Sequence, residues 1–139
     1  MSFHPYVFFS DGQCAAAFRR YHEVFGGELQ VMTNADVPAG VDPMPGAPPE
    51  AVMHASIQIG DSFLMGSDDP TGDGGPKTGV AVSFSAPDEQ VAKNAFDALA
   101  EDGEVTMPFG ATFFSKGFGM CVDRFGVSWM VDTQGEPAG

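Results

Sequence analysis

Cysteine is scarce in this chain of 139 residues, and basic side chains are few: six Lys and Arg stand against 19 Asp and Glu, for a formal net charge of -13. That balance argues against a nucleic-acid partner, since phosphates need a basic face, and against binding to an anionic membrane surface. No apolar run is long enough for a membrane-spanning helix, so no membrane partner is expected. The start, Met1-Ser2-Phe3-His4-Pro5, lacks the basic and apolar regions of a secretory leader. Cys14 and Cys121 have no metal-type spacing and read as reduced thiols of a cytoplasmic protein. Cys14 falls on an apolar helix stripe, where burial raises a thiol's pKa and argues against a nucleophile. The three histidines have no arranged carboxylates beside them, so neither a metal nor any other cofactor is expected. Asp68 to Lys77 is rich in Gly and Asp, but its acidic spacing does not match a calcium loop. The acidity itself reads as solubility, the sharper alternative being a preference for cationic ligands.

What is plentiful is apolar surface: 43% of residues are hydrophobic and 12% aromatic, enough for a sizeable core. Phe3 to Phe9 is an aromatic, β-favouring run and predicts a first strand. Ser10-Asp11-Gly12 turns the chain, with Ser10 or Asp11 as the expected helix cap. Cys14, Ala17, Phe18, Tyr21 and Phe25 then share one helical stripe that ends at Gly26-Gly27. Glu28 to Thr33 predicts a strand, and Asn34 to Glu50 a long Pro- and Gly-rich loop. From Val52 to Ile59 the residues alternate, with Met53, Ala55, Ile57 and Ile59 on one face and His54, Ser56 and Gln58 on the other. Gly60-Asp61 links this strand to Ser62–Ser67. Val80 to Phe84 is the next strand. Ser85-Ala86-Pro87-Asp88 then opens a second helix, with Ser85 as its cap and Val91, Ala92, Ala95, Phe96 and Leu99 as its stripe. Glu104 to Phe109 predicts a strand. The last hairpin turns at Asp123-Arg124-Phe125-Gly126.

The two halves repeat one order: strand, helix ending at Gly, Glu-led strand, hairpin. Ala17-Phe18 matches Ala95-Phe96, and Glu28-Leu29 matches Glu104-Val105. The expected fold is α+β, one domain over 1–139 made of two βαβββ modules at about 1–70 and 77–134.

Met53-His54-Ala55, Leu64-Met65-Gly66-Ser67-Asp68, Val105-Thr106-Met107-Pro108 and Thr112-Phe113-Phe114 through Trp129-Met130 together resemble the PhnB-like branch of the vicinal oxygen chelate superfamily. Glyoxalase I, bleomycin-resistance proteins and extradiol dioxygenases belong to that superfamily. The likeness implies tandem modules forming an open, incomplete barrel, and a homodimer. Phe114 departs from the Trp usual in relatives. The superfamily's enzymes hold a divalent metal between the modules, and the likeness puts the ligand positions near Pro5 or Tyr6, Met65, Val80 and Met130. None is a His, Glu or Gln, and thioethers and aliphatics do not replace them. Branch members often carry the label of demethylubiquinone methyltransferases, but no Gly-rich turn of an α/β domain is present to seat S-adenosylmethionine.

His54 is the candidate acid/base or hydrogen-bonding side chain, with Ser56 and Gln58 on its face. The competing role for His54 is structural, bonded to neighbouring strands or water. Met65, Met107, Phe113, Phe114, Phe118, Trp129 and Met130 form an apolar set suited either to an adaptable pocket or to ordinary core. His4, beside Pro5, reads as exposed and frayed. The expected function is metal-free binding of a small-molecule ligand, as in the resistance proteins. The alternatives are a glyoxalase-like lyase or isomerase, metal-dependent or using His54 as base, and a dimeric interaction protein.

Overall fold

The structure, a computed structural model, describes residues 2–36, 40, 48–69 and 77–133. The chain divides into two compact units, Met1–Gly75 and Pro76–Gly139. The first unit contains β1 (Tyr6–Phe9), α1 (Cys14–Phe25), β2 (Glu28–Thr33), β3 (Val52–Ile59) and β4 (Ser62–Asp68). The second contains β5 (Val82–Ala86), α2 (Glu89–Ala100), β6 (Glu104–Gly110), β7 (Phe118–Val122) and β8 (Ser128–Thr133). Each unit is therefore a βαβββ module with a four-stranded open sheet, ordered β1-β4-β3-β2 in the first and β5-β8-β7-β6 in the second. β1 and β5 run parallel to their neighbours β4 and β8, and the other pairs are antiparallel. The α+β class expected from the repeat is what the chain adopts. Among the described residues no helix is long and apolar enough to cross a membrane. Most of the Asn34–Glu50 loop lies outside the described residues; its first turn, Asn34–Asp36, is 3₁₀.

Each helix buries its predicted stripe against one face of its own sheet. Cys14, Ala17, Phe18 and Tyr21 are buried on α1, and Ala92, Ala95, Phe96 and Leu99 on α2. The exceptions are Phe25, which is half-buried, and Val91, which is 42% exposed. The approach is close. A Cβ on Gly66 would sit 2.8 Å from the Phe18 ring, and one on Gly119 would sit 2.8 Å from the Phe96 ring. Both glycines thereby mark the helix-covered face of their sheets.

The helix caps differ from expectation. Neither Ser10 nor Asp11 caps α1. Gln13 stands at the N-cap with no side-chain bond, and the Cys14 N–H is accepted instead by Asp68 Oδ1 at 2.9 Å. The other oxygen of Asp68 accepts Val52 N–H at 2.9 Å, so one buried carboxylate ties the end of β4 to both α1 and β3. In α2 the cap is Asp88, which accepts Val91 N–H, and not Ser85, which belongs to β5. Pro87 precedes the cap. A carboxylate at either helix N-terminus also meets the positive end of the dipole.

Both cysteines are buried free thiols. Burial, helped by the nearby Asp68 charge, pushes Cys14 up to about 12; burial, helped by Asp123, pushes Cys121 up to about 11. Both are expected to resist a disulfide reagent at pH 8 and to react once urea unfolds the chain. Rapid labelling of either in the native protein would refute this. The unfolded thiols lose their protons from about 9.0 upward while the folded ones keep theirs. The associated stability is thus full below that pH and falls as pH rises toward 11 and 12.

Candidate functional site

Strand register decides which residues share a face. In the first unit Tyr6 pairs with Met65, Met65 with Ser56, and Ser56 with Gln30. The next row is Phe8 and Ser67, which pair directly, then His54 one step beyond the Ala55–Gly66 pair, then Met32 opposite His54. Both rows lie on the face away from α1, because Val7, Gly66 and Ala55 take the alternate positions against it. His54, Ser56 and Gln58 therefore do share one face, as their spacing predicts, and Met65 lies on it beside Ser56.

The structure adds Tyr6 and Phe8 to them. The Tyr6 hydroxyl is 3.5 Å from His54 Nδ1, at the outer edge of hydrogen-bond reach, and the two rings are 5.8 Å apart. With the Nε2–H tautomer the hydroxyl donates to Nδ1. Phe8 packs on Tyr6 at 5.1 Å and is 57% exposed. Ser67, the register partner of Phe8 on this face, is buried. Gln58 is turned toward its own hairpin, where its side-chain amide donates to the Gly60 carbonyl at 3.2 Å. His4 is half-buried rather than frayed, its ring edge-on to Phe63 at 5.1 Å.

In the second unit Met107 pairs with Met120 and Met120 with Met130, on the face away from α2. Phe118 lies on the same face and is buried, with Phe114 stacked edge-on at 4.9 Å. Phe113 touches Phe114 at 5.1 Å but is 90% exposed. Trp129 does not join this set. It pairs with Cys121 on the helix-covered face and is 2% exposed, and its Nε1–H is held by Asp123 Oδ2 at 2.9 Å. Trp129 is core, because its parity along β8 is opposite to that of Met130.

The positions implied for a divalent metal can now be tested chemically. Tyr6 pairs with Met65, as placed. The partner of Met130 on β5 is Ser83, not Val80, which precedes the strand. A phenol, an alcohol and two thioethers do not make a set for a hard or borderline divalent ion. Among the described residues no three His, Cys, Asp or Glu side chains are grouped to hold a metal.

This tandem βαβββ architecture is that of the glyoxalase-type proteins. The chain belongs to the Glyoxalase/Bleomycin resistance protein/Dioxygenase superfamily, whose family model matches residues 4–131. It is 29% identical to protein YjdN of Escherichia coli strain K12, over 95% of each chain. It is similar to the crystal structure of protein PA1353 from Pseudomonas aeruginosa, with 38% identity and a TM-score of 0.83 over 96% of this chain and 98% of that one. The PhnB protein from Bacillus cereus shares the fold, with a TM-score of 0.73 at 22% identity over 96% of this chain and 100% of that one.

Proposed function

We propose that the chain binds an apolar or aromatic small molecule without a divalent metal, using the face of the first sheet that carries Tyr6, Phe8, His54 and Met65. The observation that carries this reading is the Tyr6–His54 contact set among Phe8, Met65 and Met32. Rings and thioethers supply adaptable contact area, and the phenol and imidazole supply orientation. The preferred ligand is a planar aromatic with one hydrogen-bonding substituent. Two free thiols support a reducing, cytoplasmic setting. The homodimer is adopted by resemblance.

The test is a thermal-shift and calorimetric screen of naphthols and related phenols. Saturating ligand at 100 Kd should stabilise the protein by about 2.7 kcal/mol. Phe8→Ala and His54→Ala should each weaken binding by roughly three- to tenfold, as expected for one lost ring contact or one hydrogen bond. Zinc, nickel, manganese and iron(II) should leave Tm unchanged. A screen with no stabilising compound sinks the reading, as does near-stoichiometric chelatable metal that supports Tm.

The Tyr6 hydroxyl beside His54 favours one second reading, an enzyme in which His54 moves a proton. In that case His54→Ala keeps ligand affinity and abolishes turnover.

A further inference from the structure

The two modules invite a row-by-row comparison. By strand order β1, β4, β3 and β2 correspond to β5, β8, β7 and β6. The row Tyr6, Met65, Ser56, Gln30 of the first sheet thus corresponds to Ser83, Met130, Met120, Met107 of the second. One is mixed and polar. The other is three thioethers side by side across three adjacent strands. Directly opposed side chains have Cβ atoms about 4.5–5.5 Å apart. Methionine has three rotatable bonds, so Met107 and Met130 can lean toward Met120 between them. The irregularities in the β6–β7 ladder fall immediately on either side of Met107. Pro108, which has no N–H to give the ladder, lies in one of them, and such bulges re-aim a side chain.

An apolar wall is the ordinary use of methionine. Two observations point further. Met107 is 43% exposed on an edge strand, and Met120 and Met130 are half-buried, so none of the three residues is closed off from water. Asp132 is two residues beyond Met130 on the same face of β8, and its Oδ1 is buried with no hydrogen-bond partner. A buried carboxylate oxygen without a hydrogen-bond partner in the adjoining row favours a cation. Thioethers are soft donors that reject hard divalent ions and select monovalent ions such as Cu(I).

We propose that Met107, Met120 and Met130 form a thioether site for a soft monovalent cation, Cu(I) or its mimic Ag(I). The site lies in the second unit and is independent of the organic-ligand reading, so either can fail alone.

The test is titration of the whole protein with silver nitrate in chloride-free buffer, and anaerobically with Cu(I) held by ascorbate and a competing chelator. One ion should bind per chain. Met120→Leu keeps the side chain's volume and so preserves folding. Losing this ligand should weaken binding by more than the roughly 10–100-fold typical of an outer-shell change. Met53→Leu, on β3 of the other sheet, should leave affinity unchanged. Because Cys14 and Cys121 are soft ligands too, the titration is repeated in a Cys14→Ala, Cys121→Ala background. Thioethers do not titrate, so in the native chain affinity should stay flat between pH 5.5 and 8, whereas a thiolate site gains up to about tenfold per pH unit as protons are released. Unchanged affinity in Met120→Leu, loss of binding with the cysteines, or a steep rise with pH would each overturn the proposal.

Discussion

Replacing Asp123 by Ala is expected to cost about 3–5 kcal/mol, the range for stripping one partner from a buried, charged hydrogen-bond set. Asp123 is 6% exposed and starts the turn between β7 and β8. Its Oδ1 accepts Phe125 N–H at 2.9 Å and Val127 N–H at 3.0 Å, and its Oδ2 accepts Trp129 Nε1–H at 2.9 Å. The variant removes the acceptor of the buried indole N–H. Urea unfolding measures the loss, and a change below about 1 kcal/mol, the scale of an ordinary surface substitution or a single neutral bond, would refute it. Trp129→Phe removes the donor and its need together. Asp123→Ala should then cost about 0.5–3 kcal/mol less in that background, and the difference is the coupling of the pair.

The second large effect belongs to Asp68. Asp68→Ala removes the acceptor for both Cys14 N–H and Val52 N–H, and is expected to cost about 2–4 kcal/mol for two charge-assisted bonds in a buried site. Asp68→Asn should rescue little, since the amide has one acceptor oxygen and would turn N–H groups toward a backbone donor. Hydrogen exchange separates this from a general loss of packing: the Cys14 and Val52 amides should lose protection first. Gln13→Ala, at a cap position whose side chain makes no capping bond, should stay within about 0.5 kcal/mol.

Asp68 and Asp123 show what a single chain reveals. Their immediate sequence suggests turn residues, and for Asp123 that is half the answer. The other half, the grip on Trp129, needs the pairing of β7 with β8. Local periodicity was enough for the helix stripes, for the opposition of His54 to Ala55, and for the hairpin turns, because these depend on spacing within one element. For Trp129 it was enough to separate the side chain from Met130 on β8, but only the pairing of β8 with β7, whose Gly119 lies against Phe96 of α2, shows that the Trp129 side is the helix-covered one. Val80 illustrates the same limit: β5 begins at Val82, and register against β8 makes Ser83 the residue beside Met130. Tyr6 and Phe8 were visible as β-formers, yet only pairing with β4 puts them on the face of His54.

The carboxylate that caps α1 also bears on the order in which the chain can fold. Asp88 caps α2 from three positions away, so that helix carries its own start signal as soon as it leaves the ribosome. The acceptor for α1 is 54 positions downstream, at the end of the last strand of its module. During synthesis the first helix lacks this acceptor for its Cys14 N–H until β4 is made, whereas the second helix has its cap beside its own first turn. Two modules of one design thus differ in contact order at one bond, and the half that is made first is the half whose helix depends on closing the longer loop.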